Sequence, residues 1–357
     1  MRGEARGDAP PRRYRGALLG LGAIATQAHL PAFRLSPAVA DRFEIVSAAD
    51  PTRAADGVVG GVPVLSSVEA LDALPGLDFV DIATPSASHV ALARSALGRG
   101  LHVLCEKPVA ARRADALALV ALAREAERVI VPCHQYRFNP AWRRIRAWVG
   151  AGAIGHWHLA RIAVHRTAAD RGAGGAAVPW RARRAESGGG VLLDHGTHLL
   201  YTLLDLAEPP RRVAAWTGRL LHRAYDVEDT VELRLEYPDR LATLFLTWAA
   251  RRRETHVHVT GERGAITWTD GALTLERDGA TETYDFSREL DRASYPSWFA
   301  ELFLAFAAAL DRGAASDAAR RASDDIVRVA TLLEAAYASA RAGVAVELPG
   351  ETRVPGA

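Results

Sequence analysis

The chain has 357 residues, of which 49% are hydrophobic and 24% charged, and its formal net charge is +2 at pH 7. This length and apolar content predict two folded domains with a substantial core, and they exclude a disordered protein. The near-neutral charge, without a basic stripe interleaved with aromatic residues, argues against a nucleic-acid partner. No apolar run reaches the roughly 18 residues of a membrane span, so no membrane partner is expected.

The cysteine content and the N-terminus bear on the compartment. Two cysteines, Cys105 and Cys133, indicate reduced thiols rather than a disulfide framework. Arg12-Arg13 before the apolar run 16–25 resembles a twin-arginine export signal, but the run lacks a small-residue cleavage site. We therefore expect a cytoplasmic location, with disordered tails at residues 1–13 and 350–357.

A glycine-rich turn opens the folded part of the chain. A short apolar strand after Arg15 runs into a G-x-G-x-x-A pattern, and a helix is predicted to follow. Such glycines let the backbone turn tightly and approach a pyrophosphate, which lies at the positive N-terminus of the helix. The predicted cofactor residues of this turn are Gly20, Gly22, Ala23, Ile24 and Ala25.

An acidic residue follows the next predicted strand, which spans 43–49. Asp50 stands where a dinucleotide-binding domain reads the ribose 2′-hydroxyl, although a plain turn residue before Pro51 is the alternative. A carboxylate there repels a 2′-phosphate and favours NAD. Arg53 is close enough in sequence to keep NADP as an alternative.

Polar loops follow the third and fourth predicted strands of this domain. The strand 79–84 ends in a loop from Thr84 and Pro85 to His89, and the strand 101–104 leads to Glu106 and Lys107. The carboxyl ends of parallel strands meet at one edge of the sheet, so these five residues are predicted to line the cofactor site. Strand–helix alternation over about 120 residues predicts a parallel sheet covered by helices.

Lys107 is the only lysine in the sequence, and the other 43 cationic residues are arginines. The pKa of a lysine can fall on burial, so lysine can donate and accept a proton near neutral pH, whereas arginine stays charged. Lys107 is therefore predicted to have a chemical role, with survival by chance as the alternative.

Rare residue types gather after the strand 129–132. Asn139 is the only asparagine of the chain, and it lies beside Arg137. Both are candidates for contact with substrate in a polar pocket. A helix N-cap before Pro140 is an equally good interpretation of Asn139.

From Gly155 the pattern changes to alternating strands separated by turns, which predicts a mostly antiparallel sheet and a second domain. The predicted strands span 156–166, 213–219, 230–237, 241–249, 255–260, 265–268 and 273–277. Helices at 297–310 and 319–341 are predicted to follow.

The second chemical stretch runs from Ser187 to Tyr201 and contains three consecutive glycines. If it is helical from about Asp194, then Asp194 and His198 share a face, and the carboxylate fixes the tautomer of the imidazole. The glycines suggest backbone packed closely against nicotinamide or substrate. The alternative is that Asp194 caps the helix and His198 is an ordinary buried histidine. His195 and Trp180 are weaker substrate candidates, and no metal is predicted.

These motifs in this order resemble the glucose–fructose oxidoreductase, inositol dehydrogenase and rhizopine-catabolism family (Gfo/Idh/MocA) over residues 15–349. The resemblance implies an α/β architecture, with a Rossmann NAD(P)-binding domain at 14–136 and a C-terminal α+β domain at 137–349 that carries a large, mostly antiparallel open sheet. The helix near 319–341 can pack back on the first domain. The resemblance also implies Lys107, Asp194 and His198 as the catalytic set, and a homodimer or homotetramer.

The expected activity is reversible hydride transfer between NAD, or alternatively NADP, and a secondary alcohol of a sugar, sugar derivative or cyclitol. In this mechanism His198 or Lys107 transfers the hydroxyl proton. Two alternatives stay open: an NAD-dependent glycoside hydrolase that acts through transient oxidation, and a non-catalytic NAD(P)-sensing regulator.

Overall fold

The computed structural model describes residues 11–53, 57–65, 67–170 and 178–350, so most of both predicted tails lies outside the described residues. In this part of the chain, the first sheet has seven strands in the order β3-β4-β2-β1-β5-β6-β7. All neighbours run parallel except β3 and β4. The strands are β1 (Tyr14–Leu19), β2 (Phe43–Ala49), β3 (Val58–Val59), β4 (Val62–Leu65), β5 (Phe79–Ile82), β6 (His102–Cys105) and β7 (Ile130–Pro132).

Helices cover both faces of this sheet, which explains why its central strands are apolar on both sides. Helices α1 (His89–Gly98) and α2 (Arg113–Glu125) pack on one face against alanine, leucine and valine side chains. The helix after the glycine turn begins at Ala23 and includes a π-helical turn at Ala25–His29. It packs on the opposite face.

The second sheet has nine strands within the described residues, in the order β15-β14-β13-β12-β8-β11-β10-β9-β16, and only β8 and β11 pair in parallel. Its strands are β8 (Trp157–His165), β9 (Arg212–Gly218), β10 (Thr230–Glu236), β11 (Leu241–Thr247), β12 (Glu254–Gly261), β13 (Gly264–Thr269), β14 (Ala272–Arg277), β15 (Ala280–Asp285) and β16 (Val346–Glu347). In β10, Val231, Leu233 and Leu235 point to the core, and the residues between them are charged and exposed. The edge strand β15 is not predicted by the sequence because its residues are polar on both faces.

Four further helices position the site and join the two cores. They are α3 (Pro140–Gly150), α4 (Thr197–Leu204), α5 (Tyr295–Arg312) and α6 (Asp317–Ala342). The phenylalanines of α5 pack on Phe33, Phe43 and Phe79 of the first domain, although the predicted domain boundary places this helix in the second. Helix α6 joins both cores, with Val327 and Ala330 against the first and Leu332 and Leu333 against the second. None of the described helices is long and apolar enough to cross a membrane.

Candidate active site

Lys107 lies where the two domains meet, in the loop after β6. Its ammonium nitrogen Nζ donates to the carbonyl oxygen of Asp194 at 2.6 Å and to the carboxylate oxygen Oδ1 of Asp194 at 2.7 Å. The two side chains are only 10% and 16% exposed, respectively. The lone lysine of the chain is thus brought to the second chemical stretch, 87 residues away in sequence.

A π-helical turn at Leu192–Gly196 carries Asp194, and α4 follows it directly. The second carboxylate oxygen Oδ2 of Asp194 lies 3.6 Å from Nε of Arg181 and 3.3 Å from Nδ1 of His195. Both carboxylate oxygens of Asp194 therefore have partners, and Lys107 is the nearest of them.

The predicted pairing of Asp194 with His198 is wrong, because the carboxylate oxygens of Asp194 face Lys107, Arg181 and His195. Nδ1 of His198 instead lies 2.8 Å from the hydroxyl oxygen of Tyr201, one helical turn further along α4. That hydroxyl also accepts a hydrogen bond from the backbone N–H of Tyr136 at 3.0 Å. The ring of Tyr136 stacks on the imidazole of His198, with 4.3 Å between ring centroids. Tyr201 and Tyr136 therefore fix the imidazole in position.

His195 faces the other side of this turn, toward the end of β11. The indole Nε1–H of Trp248 donates to Nδ1 of His195 at 3.3 Å. An indole nitrogen can only donate, but the same Nδ1 lies 3.3 Å from Oδ2 of Asp194, which can only accept, so the two contacts favour opposite tautomers. Burial lowers the pKa of His195 to about 4, so the ring is neutral at physiological pH.

The groups of this cluster differ in charge. Burial opposes ionisation of Asp194, but the positive charges of Lys107 and Arg181 outweigh it and hold the pKa of the carboxyl well below its ordinary value. Burial, together with the charge of Lys107, lowers the pKa of His198 well below the ordinary value. A carboxylate, an ammonium group and a neutral imidazole thus lie side by side, which is the set that proton transfer from an alcohol requires.

The three glycines before this turn serve a structural purpose that the sequence analysis did not identify. A Cβ on Gly189 would meet the hydroxyl oxygen of Tyr337 at 2.2 Å, and one on Gly190 would meet the carbonyl oxygen of Glu228 at 1.9 Å. The hydroxyl of Tyr337 donates to the carboxylate of Glu228 at 2.7 Å, and so does the backbone N–H of Gly190 at 2.9 Å. Gly189 and Gly190 are therefore packed closely against Tyr337 of α6 and Glu228.

The glycine turn of the first domain has the shape that a dinucleotide needs. Gly20 has a φ of +91°, and a Cβ there would meet the carbonyl oxygen of Ala83 at 2.9 Å. Gly22 is exposed, and within the described residues no other atom lies within 4 Å of a Cβ built on it. Space for a pyrophosphate is thus left open before the helix that starts at Ala23.

Asp50 is anchored to the same turn. Its carboxylate accepts hydrogen bonds from the backbone N–H of Leu21 at 2.7 Å and from the N–H and hydroxyl of Thr52 at 2.8 and 2.7 Å. Burial opposes ionisation, but these bonds outweigh it and keep the pKa of Asp50 below the ordinary value. A carboxylate has about four acceptor positions, so one remains for a ribose hydroxyl. Arg53 donates to the carbonyl oxygen of Leu21 at 3.2 Å, which places its guanidinium at the turn.

Two predicted cofactor residues point into the protein instead. His89 is 1% exposed, and its ring nitrogens lie 2.8 Å from the carbonyl oxygen of Pro108 and 2.9 Å from that of Thr84. It therefore ties together the two loops that carry Thr84 and Lys107. Glu106 is 6% exposed and contacts His29 beneath the loop. Thr84 and Pro85 lie at the carboxyl end of β5, as predicted, and the hydroxyl of Thr84 forms a hydrogen bond with that of Ser88 at 2.7 Å.

The weaker substrate candidates have mixed outcomes. Arg137 is held by the carboxylates of Asp205 and Asp325, so it connects the loop after β7 to α6. Asn139 is 1% exposed and accepts from the N–H of Trp142 at 3.0 Å, as the N-cap interpretation requires. Trp180 is half-buried, with the guanidinium of Arg181 4.4 Å from the centre of its ring.

Sequence reasoning missed four side chains of the site: Tyr136, Arg181, Tyr201 and Trp248. Tyr201 lies three residues after His198 on one helix, and that spacing is a signal that could have revealed it. Arg181 and Trp248 reach the cluster from distant segments, and neither has a local pattern that marks it.

The comparisons with known proteins agree with this geometry. A family model described as an oxidoreductase family with an NAD-binding Rossmann fold matches residues 14–134, and one described as the GFO/IDH/MocA C-terminal domain matches residues 142–267. D-apiose dehydrogenase from Paraburkholderia graminis is 30% identical over 355 residues, which cover 94% of this chain and 90% of that enzyme.

Solved structures support the fold. An oxidoreductase from Agrobacterium radiobacter, in complex with NAD+, L-tartaric acid and magnesium, superposes with a TM-score of 0.81 at 22% identity and covers 94% of this chain and 98% of that one. Levoglucosan dehydrogenase, in complex with NADH and levoglucosan, has a TM-score of 0.81 at 20% identity, with 95% of this chain and 100% of that one covered. At these identities the likeness shows the fold alone.

The Rossmann domain, its glycine turn and the matched models define an NAD-binding oxidoreductase of two domains. The chain belongs to the Gfo/Idh/MocA oxidoreductase family. The predictions of the family, of the fold, of an NAD-dependent enzyme class and of the NAD cofactor are confirmed.

Proposed function

We propose that this enzyme oxidises a secondary alcohol of a sugar, sugar derivative or cyclitol, reversibly, with Lys107, Asp194 and His198 as its catalytic set. The observation that carries the proposal is the meeting of Lys107 with Asp194, at 2.7 Å between Nζ and Oδ1, beside the neutral imidazole of His198. The similarity to D-apiose dehydrogenase over 94% of the chain supports a sugar-like substrate. The bound nicotinamide supplies the acceptor for the hydride.

In this proposal His198 accepts the hydroxyl proton. The tautomer that this role requires has Nδ1–H donating to the hydroxyl oxygen of Tyr201, which leaves the lone pair of Nε2 for the substrate. The lowered pKa of His198 keeps the ring unprotonated at neutral pH, so it is ready to accept the proton.

Lys107 donates a hydrogen bond to the same substrate oxygen and stabilises the negative charge that develops on it. Asp194 holds the ammonium group through its carboxylate and its carbonyl oxygen. Arg181, 3.6 Å from that carboxylate, limits its motion from the opposite side. Asp194 is thus assigned to orienting Lys107, and His195 and Trp180 to lining the substrate cleft.

NAD is preferred over NADP in the proposal, because the ionised carboxylate of Asp50 retains one free acceptor position beside the glycine turn. Arg53 donates to Leu21 in this arrangement and offsets part of that negative charge. The cofactor contacts come from Gly20, Gly22 and the helix starting at Ala23, with Thr84 and Pro85 on the opposite side. The two free, buried cysteines fit a reducing compartment, and a cytoplasmic location completes this part of the proposal.

The test measures absorbance of the reduced nicotinamide with a panel of sugars and cyclitols and either NAD or NADP. Wild type and His198→Asn are compared at saturating substrate. We expect reduction of NAD by wild type and a loss of kcat of roughly 10²-fold or more in the variant. Equal rates would refute the role of His198. If the wild type binds NAD but reduces it with no substrate of the panel, the proposed dehydrogenase activity is refuted. If it then cleaves a glycoside without net formation of NADH, the enzyme is a glycoside hydrolase instead.

We also propose a homodimer formed through the open face of the second sheet. Leu159, Phe245 and Trp216 lie on this face and are 44%, 38% and 50% exposed. A second copy placed face to face would bury all three in an isologous interface. Light scattering after size exclusion should show a dimer for wild type and a monomer for Trp216→Arg; a monomeric wild type would refute this interface.

A further inference from the structure

A buried ion cluster lies beneath the loop that carries Lys107. His29 is 0% exposed, and its ring nitrogen Nδ1 lies 2.7 Å from the carboxylate of Asp81 on β5. Its other ring nitrogen, Nε2, lies 3.1 Å from Oε1 of Glu106. Each ring nitrogen thus faces a carboxylate oxygen, and an imidazole can donate to both only when it is doubly protonated.

The same carboxylate supports the backbone of Lys107. Oε2 of Glu106 accepts a hydrogen bond from the backbone N–H of Lys107 at 3.1 Å. Glu106 therefore bridges the imidazole of His29 and the residue whose ammonium group reaches Asp194. His29 lies at the end of the π-helical turn Ala25–His29, on the helix that the glycine turn begins. One side chain thus connects the dinucleotide turn to the loop of the lysine.

We propose that His29 is an imidazolium that positions Lys107 through Glu106, an inference that rests on the catalytic role proposed above for Lys107. Without the imidazolium, Glu106 would be a buried carboxylate that has lost its cationic partner. Such a group must become protonated or move, and either change weakens its hold on the backbone of Lys107. The ammonium group would then leave the place where Asp194 and the substrate oxygen need it.

The surroundings of His29 favour this charge state. From α5 the apolar rings of Phe299 and Phe303 pack against it, at centroid distances of 4.4 and 5.6 Å. Burial opposes protonation, but the two carboxylates outweigh it and raise the pKa of His29 to about 10. The thiol of Cys133 lies near the pair, and burial raises its pKa, so it adds no charge.

A metal ion is the competing explanation of this cluster. One ligand atom each from His29, Asp81 and Cys133 lie within 4.8 Å of one another. However, both ring nitrogens of His29 already face carboxylates, Nδ1 that of Asp81 and Nε2 that of Glu106. The geometry is that of a hydrogen-bonded ion cluster.

The first experiment is a double-mutant cycle of His29→Gln with Lys107→Ala, assayed for kcat and for NAD binding. Alone, His29→Gln should lower kcat by roughly 10- to 100-fold, as a misplacement of about 1 Å does, with the Kd for NAD changed less than about threefold. In the Lys107→Ala background the same substitution should change kcat by less than about twofold, because its effect passes through the lysine. Equal losses in both backgrounds would overturn the proposal in favour of a general structural role.

The matched control is His102→Gln, since the ring of His102 also forms a hydrogen bond within the first domain, accepting from the backbone N–H of Val129 at 2.9 Å, but lies at the opposite end of β6 from Lys107. It should leave kcat unchanged. A loss of kcat in this control as large as that in His29→Gln would overturn the specific role of His29.

The second experiment does not depend on activity, and its main readout uses the wild type. In the wild type labelled with ¹⁵N-histidine, one ring should show both nitrogens protonated from pH 6 to pH 9, and Asp81→Asn should shift that resonance. A wild type in which every buried ring is neutral at pH 8 would overturn the proposal. So would one equivalent of tightly bound zinc in the purified protein. Because the spectra report the charge state alone, they separate a failure of this inference from a failure of the proposed dehydrogenase.

Discussion

Replacing Lys107 by arginine is the sharpest test of the site, because it keeps the positive charge but changes the size and shape of the group that carries it. Nζ of Lys107 fits between the carbonyl oxygen and the carboxylate of Asp194, at 2.6 and 2.7 Å, with the side chain 10% exposed. A planar guanidinium is larger and cannot place one nitrogen at that point. Loss of one donor to a developing oxyanion lowers kcat by about 10²–10³-fold, so we expect Lys107→Arg to fall in that range.

The stability of this variant should change little, because a cation still faces Asp194. Lys107→Met removes that cation and leaves the carboxylate with Arg181 at 3.6 Å. Breaking a buried ion pair costs about 3–5 kcal/mol when the remaining partner is left alone. Since Arg181 and His195 remain, we expect a loss of about 1–3 kcal/mol in the free energy of unfolding for Lys107→Met.

The assay follows reduced nicotinamide at saturating NAD and substrate, with the Kd for NAD measured separately. The control is Arg42→Lys, a conservative exchange in an ion pair remote from the site, where Arg42 contacts Asp311 at 2.7 Å and is 15% exposed. We expect wild-type kcat for the control. If Lys107→Arg kept wild-type kcat, a positive charge at this point would suffice, and the argument from the single lysine would fail.

Three further substitutions and one pH profile test other parts of the structure. Tyr201→Phe removes the partner of Nδ1 of His198 and should lower kcat at least roughly 10-fold, since the tautomer is no longer fixed; an unchanged kcat would contradict the proposed tautomer. His198 must be neutral to accept a proton and its pKa is lowered, so the acid limb of kcat/KM, lost as pH falls through that pKa, should lie below pH 6.5; a limb at or above 6.5 would refute it. Gly190→Ala puts a Cβ 1.9 Å from a carbonyl oxygen and should cost about 2 kcal/mol or more in unfolding experiments, whereas Gly98→Ala, which has open space, should be neutral or stabilising. Asp50→Ser should move the ratio of kcat/KM for NAD over NADP roughly 10-fold toward NADP, and an unchanged ratio would remove Asp50 from the ribose site.

Several features of the site can be predicted from the sequence because they depend on local pattern. The glycine turn and Asp50 follow buried strands, and the parallel sheet brings the ends of those strands together. Lys107 stands out by composition alone. The N-cap interpretation of Asn139 uses a spacing of three residues, and the structure has that hydrogen bond to Trp142.

Other features are hidden because they depend on distant contacts. The partners of the Asp194 carboxylate include Lys107 and Arg181, which lie in other segments of the chain, so the spacing of Asp194 and His198 could not indicate them. The reason for the glycines lies in Tyr337, 148 residues after Gly189, where no periodicity could indicate it. Arg137 has the charge of a substrate-binding residue, but two carboxylates from other helices already occupy it.

The position of the site explains why so much buried charge surrounds it. Lys107 comes from the first domain and Asp194 from the second, so the catalytic pair forms only while the two domains keep their relative position. Besides the pair itself, two contacts hold the domains together: the hydrogen bond of Ser86 to the carbonyl oxygen of Ser187, and the packing of α6 on both cores. Ion pairs buried at such a seam add little net stability, but they penalise every misaligned arrangement, since an unpaired buried charge is costly. They therefore act on the geometry of the site rather than on the stability of either domain.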